Sequence, residues 1–122
     1  MTELIGSFHS PNFPNMYKNN MDCKWTVLIP PNRTVYLSFD VFELEKNKAC
    51  TLPGCPCDYV EIREYFSDDQ FSLNGRYCMG VNNTPPRITS FAKKLTVLFH
   101  SDTSQGAKGF NASFNMTTGM CF

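Results

Sequence analysis

Apolar and polar residues alternate with a period of two in short runs along most of the chain, and residues that favour turns separate the runs. Trp25, Val27 and Ile29 fall on one face of an extended segment that Pro30-Pro31-Asn32 ends. Val35, Leu37, Phe39 and Val41 resume the alternation, which predicts that the two runs are neighbouring core strands. Tyr59-Val60-Glu61-Ile62, Leu95 to Phe99 and Phe110 to Phe114 repeat the pattern, and in the last of these the phenylalanines point inward and Asn111 outward. Ser67 to Gln70 and Asn82 to Pro86 read as loops, because Asp, Asn and Pro supply turn geometry and interrupt ladders. The stretch from Glu64 to Asn74 reads as a longer variable loop that mixes aromatics with acids. Helical periodicity is nearly absent, so the fold class is all-β, a two-sheet sandwich with one buried and one wetted face per strand.

The length, 122 residues, fits one domain over 1–122. Eleven phenylalanines in this frame are bulk for its core and not an aromatic ligand groove. Eleven basic residues cancel eleven acidic ones, so the basic footprint of a nucleic-acid binder is not visible and nucleic acid is not expected as a partner. No apolar run approaches the ~18 residues that span a bilayer, so direct membrane insertion is not expected. The opening Met1 to Gly6 lacks a basic segment followed by a long apolar stretch. An export signal is therefore expected from a larger secreted or membrane-anchored parent with further modules.

Such a parent is expected because two features point outside the cell. Six cysteines, Cys23, Cys50, Cys55, Cys57, Cys78 and Cys121, form an even set, and Asn-x-Ser/Thr sequons begin at Asn32, Asn82, Asn111 and Asn115. A zinc site would need a second matched cysteine pair or two histidines near Cys55-Pro56-Cys57, whereas His9 and His100 are isolated. Disulfides in an oxidising compartment account for the set better. Fifteen full pairings are possible, and spacing does not choose among them.

Five blocks of residues carry a resemblance. Gly6 to Tyr17, with Ser10-Pro11-Asn12-Phe13-Pro14 as a Ser-Pro-x-aromatic-Pro turn, is followed by Cys23-Lys24-Trp25. Phe42-Glu43-Leu44-Glu45, Asp58 to Ile62, Gly75-Arg76-Tyr77-Cys78 and Phe99 to Ser104 leading to Lys108-Gly109-Phe110 come next, in that order. This succession resembles a CUB domain of the calcium-binding kind over essentially the whole chain. The resemblance implies a jelly-roll-like sandwich of about ten strands. It also implies a bridge between Cys55 and Cys78, and a cysteine about ten residues before the Ser-Pro turn as the usual partner of Cys23. With that partner missing from this sequence, the expectation is Cys23 with Cys121, the family's last strand running antiparallel beside the strand that begins at Cys23, and Cys50 with Cys57. A free or intermolecular Cys121 is the alternative.

The resemblance further implies a calcium ion at one end of the sandwich, held by Glu45, Asp58 and Asp102, with Ser104 lending an oxygen and Tyr17 a supporting hydroxyl. Calcium takes six to eight hard oxygen ligands, and clustered carboxylates offset its charge. Gln105 stands where calcium-binding members have Asn, one methylene shorter. By the same likeness, Tyr17, Glu45, Asp58, Asp102 and Ser104 would receive a lysine from a protein ligand. The chain is therefore expected to be an extracellular, calcium-dependent protein-protein interaction module. Two rivals remain: a carbohydrate-binding module using Tyr36, Tyr65 and Phe66, and a calcium-independent structural or regulatory module of a protease or growth factor. Intrinsic catalysis is not expected, since no nucleophile elbow, phosphate loop or His-Glu-x-x-His helix is present.

Overall fold

A computed structural model describes residues 5–44, 57–78, 85–102 and 107–118. Eight strands lie among them: β1 (Ile5–His9), β2 (Asp22–Leu28), β3 (Arg33–Glu43), β4 (Tyr59–Tyr65), β5 (Phe71–Tyr77), β6 (Ile88–Ser90), β7 (Lys94–His100) and β8 (Gly109–Thr118). They form two four-stranded sheets, one in the order β1-β8-β3-β6 and the other in the order β2-β7-β4-β5, with every pairing antiparallel.

The alternation seen in the sequence places the core. Val27 and Ile29, Val60 and Ile62, and Leu95, Val97 and Phe99 point inward from the second sheet. Val35, Leu37, Phe110, Ala112, Phe114 and Met116 meet them from the first. Each large apolar side chain buried in this way contributes about 1.5–3 kcal/mol relative to exposure. At the centre, the Phe110 ring lies against Phe8, Trp25, Phe39 and Phe99, at centroid distances of 6.2, 5.4, 5.6 and 5.6 Å. These contacts span both sheets, so one residue joins the two halves of the core.

Three expectations about the strands are corrected. The runs around Trp25 and Val35 are not paired neighbours, because β2 bonds to β7 in one sheet and β3 to β8 and β6 in the other. The turn at Pro30–Arg33 carries the chain from one sheet to the other, so the two runs do not lie side by side. The alternation in β3 also does not continue to Val41. A register shift between Phe39 and Val41 inserts Asp40 and turns Phe42 and Leu44 into the core. Finally, Glu64 to Asn74 is mostly strand: β4 runs to Tyr65 and β5 starts at Phe71, its register partner, leaving 66–70 as the connection.

Cys57 and Cys78 are disulfide-bonded, while their expected partners, Cys50 and Cys55, lie outside the described residues. Cys23 carries a free thiol, which corrects its expected pairing with Cys121. The last strand does not run beside β2. It lies in the opposite sheet, and Thr118, three residues before Cys121, pairs with Arg33 at the far end from Cys23, which pairs with Phe99.

Candidate functional site

The end of the sandwich where β4 begins and β7 ends is built around a buried carboxylate. Asp58 stands one residue before β4, and Asp102 two residues after β7. Because Tyr59 and His100 are register partners, the antiparallel pairing brings residues 44 positions apart in sequence together. Asp58 is 2% exposed, and both of its oxygens are engaged. The Tyr17 hydroxyl donates a hydrogen bond to Oδ2, and the Asp102 backbone N–H donates one of 2.8 Å to Oδ1.

Tyr17 reaches this position because the segment from Ser10 to Met21 is fastened across the sandwich end. The Ser10 amide donates to the Phe110 carbonyl at 3.0 Å, that of Tyr17 to Ala107 at 3.0 Å, and that of Asn20 to Asp102 at 2.8 Å. The buried Ser101 hydroxyl donates to the Lys18 carbonyl and accepts from the Met21 amide, each at 2.8 Å. The Tyr17 ring then packs edge-on against Phe99, with 4.9 Å between centroids. Asn12 and Asn20 supply left-handed turns at φ 74° and 57°, a conformation Asn tolerates better than most residues.

Opposite Tyr17, Gly109 adopts φ +95°, and a Cβ there would come within 1.9 Å of Ser10 Oγ. That hydroxyl accepts the Phe110 amide at 3.0 Å. Gly109→Ala is therefore expected to combine backbone strain with loss of a buried hydrogen bond, about 2–4 kcal/mol in all, measured by urea denaturation. A change below about 0.5 kcal/mol would show that the clamp is dispensable.

The electrostatics of Asp58 suit a cation. Burial pushes its carboxyl above the usual carboxylate range; the Tyr17 hydroxyl and Asp102 amide pull it down, and the Asp102 carboxylate pushes it up again. Two acids thus sit together, one wholly buried and the other half exposed, in a pair that a positive charge would relieve. Among the described residues, no three His, Cys, Asp or Glu side chains cluster as a metal site. The remaining expected ligands, Glu45, Ser104 and Gln105, lie outside the described residues. The part of the ligand set that is described, Asp58 and Asp102 with Tyr17, comes together and fits a hard cation.

A second buried acid was not singled out in the sequence. Glu61 is 4% exposed although it stands on the outer face of the second sheet. The Arg76 guanidinium holds its Oε1 at 2.7 and 2.9 Å, and Arg63 Nε holds Oε2 at 2.5 Å. Burial pushes Glu61 up, but the hydrogen bonds from Arg76 and Arg63 outweigh it and leave the carboxyl below its ordinary value. The same arginines lie over aromatic rings, Arg76 over Tyr59 at 4.0 Å and Arg63 over Phe71 at 4.3 Å. The Glu61-x-Arg63 spacing puts both residues on one strand face and was the available signal; the Arg76 partner came only with the β4–β5 pairing.

The two histidines take outward roles. His9 Nδ1 meets the Ser10 carbonyl at 2.9 Å, and His100 Nδ1 meets Asp22 at 2.8 Å while its ring stacks on Tyr59. Of the sequon residues, Asn32 and Asn115 are exposed and Asn111 is half-buried on the outer face of β8, while Asn82 lies outside the described residues.

The sandwich and its acid pair at one end define a β-sheet module with a candidate cation site. The family model described as CUB domain matches residues 1–114, and the chain belongs to that family. It is 39% identical to human Tolloid-like protein 2 over 114 residues, 93% of this chain and 10% of the relative. Human cubilin is 36% identical over 110 residues, 90% of this chain and 3% of the relative. The chain thus spans a tenth or less of these two relatives. Among solved structures, the MASP-1 CUB2 domain bound to Ca2+ superposes with a TM-score of 0.77 at 27% identity, covering 93% of this chain and 94% of that one. The extracellular region of zebrafish Gpr126/Adgrg6 gives a TM-score of 0.76 at 30% identity, covering 97% of this chain and 14% of that one.

Proposed function

We propose that this chain is an extracellular protein-interaction module whose Asp58–Asp102 end binds calcium and, through it, a protein partner. The observation that carries the reading is the buried Asp58 carboxylate, fixed by Tyr17 and the Asp102 amide beside a second, half-exposed acid. The likeness to a calcium-bound CUB domain supports it. So do the disulfide-bonded Cys57 and Cys78, which suit an oxidising compartment.

Asp58 and Asp102 would hold the ion, joined by Glu45, Ser104 and Gln105. Bound calcium would supply the positive charge that lets both acids stay ionised, and so order the loops that carry them. A lysine of the partner would then meet carboxylate oxygen, with Tyr17 or Ser104 as a neutral hydrogen-bond partner. Such a contact is screened by salt and modest singly, so affinity would come from several modules of a larger parent. No catalytic role is assigned to the module.

Calcium titration followed by thermal melting tests this reading. At about 100 times its Kd, calcium is expected to stabilise the wild type by about 2.7 kcal/mol, which raises Tm by roughly 8–12 °C. Asp102→Ala is expected to lose that rise. An unchanged Tm in the wild type would leave a calcium-independent structural module as the better description.

A further inference from the structure

At the opposite end of the sandwich, a groove of about 490 Å³ is lined by Ile29 to Thr34 and by Phe91 to Lys93. It lies about 20 Å from the acid pair, the length of the seven-residue β7 that separates the two ends. Its edge is unusually apolar for an exposed turn region. Phe91 is 76% exposed and Phe66 is 50% exposed, and their rings pack edge to face at 5.7 Å, so each shields only part of the other.

The groove also contains a modification signal. Asn32 lines it, is exposed, and begins the sequon Asn32-Arg33-Thr34. The Arg33 amide donates to the Pro30 carbonyl at 3.2 Å, and Asn32 has φ 65°, the pattern of a tight turn with Pro31 at its second position and a left-handed residue at its third. The turn therefore fixes the backbone of Asn32 at the groove that Phe91 also lines. Around Phe91 stand groups that hydrogen-bond hydroxyls and acetamides: Lys93, which reaches Asp68 at 3.3 Å, and the half-exposed Arg33 and Thr34.

We propose that the N-glycan attached to Asn32 folds back into this groove and packs the apolar face of its first sugars against Phe91. An attached glycan occupies the groove at high effective concentration, so weak stacking suffices to keep it there. The glycan covers the exposed Phe66–Phe91 pair and ties the β2–β3 turn to the segment between β6 and β7. It thereby stabilises the end of the sandwich remote from the proposed calcium site. The inference requires modification of Asn32 and is independent of calcium, so its failure and that of the proposed function are separately visible.

The test uses the full chain secreted from mammalian cells with Asn82→Gln, Asn111→Gln and Asn115→Gln, so that Asn32 is the one remaining acceptor. Substituting Asn32 is avoided because its left-handed φ favours Asn; a peptide N-glycosidase is used instead, which leaves aspartate at position 32. Mass spectrometry should show Asn32 occupied. Removing the glycan should lower Tm by about 3–5 °C when Phe91 is present and by less than about 1 °C in Phe91→Ser, because the two changes share one contact. Trimming to a single N-acetylglucosamine should keep most of the stabilisation. An unmodified Asn32, an unchanged Tm on deglycosylation, or an equal fall in both backgrounds overturns the proposal. A glycosylated protein that dimerises through Phe91 also overturns it, since a second copy would then fill the groove.

Discussion

Phe110→Ala is expected to cost about 3–5 kcal/mol and to lower Tm by roughly 10–20 °C. Phe110 is wholly buried, and its ring meets Phe8, Trp25, Phe39 and Phe99. These neighbours are anchored on strands of both sheets, so the space left by the ring cannot close by moving one side chain. A domain with the usual 5–15 kcal/mol of stability would lose a large fraction of it. Urea denaturation of the variant and the wild type, with the same m-value, measures the difference. A cost below about 1 kcal/mol would mean that the two sheets are held together elsewhere.

Asp58→Ala is expected to remove the calcium-dependent rise in Tm and, without calcium, to change how stability depends on pH. It removes the carboxylate that accepts from the Tyr17 hydroxyl and the Asp102 amide, at a cost of about 1–3 kcal/mol. The sign of the pH effect follows from the raised carboxyl of Asp58. In the chelated protein, the folded chain binds this proton more tightly than the unfolded chain, so stability falls as pH rises from the ordinary Asp value of 3.8 through the folded value, and then levels. The variant should lose that fall. Glu61 acts in the opposite direction: its lowered carboxyl contributes stability above the ordinary Glu value of 4.5, which is lost as pH drops through the folded value. Because Asp58→Ala leaves Glu61 intact, acid destabilisation should persist in it. Melting curves between pH 3 and pH 7 with a chelator separate the two. A variant that keeps both the calcium response and the wild-type pH profile would remove Asp58 from the site.

The outer face of the second sheet shows why some of the structure could not be read from the chain. Glu61 stands in an alternating run and looks like an ordinary solvated acid, yet Arg63 and Arg76 lie over it and exclude water. Arg76 is 15 residues away in sequence, and only the β4–β5 register brings it opposite Glu61. Ser10 and Ser101 are similar. Both fall inside blocks that carry the family resemblance, but their task, closing backbone amides and carbonyls at the sandwich end, depends on strands distant in sequence.

Local pattern was sufficient for the elements whose two faces differ in polarity. The alternation of Phe39, Leu95 and Phe114 with polar neighbours specified strands and their inward faces, because a strand slipped by one residue would expose its whole apolar set. The identity of the acid pair was also legible, through Asp58, Asp102 and Tyr17 standing in recognisable blocks. Tertiary structure alone decided which sheet each strand joins, the reset of β3 at Asp40, and the separation of Cys23 from the end of β8. It alone decided, too, that Asp58 is buried and that Asn32 shares a groove with Phe91. The physical reason is common to all of these. Periodicity reports the polarity of a strand's two faces, whereas strand order, burial of a charge and the company of a turn depend on hydrogen-bond partners and packing from segments far away in the chain.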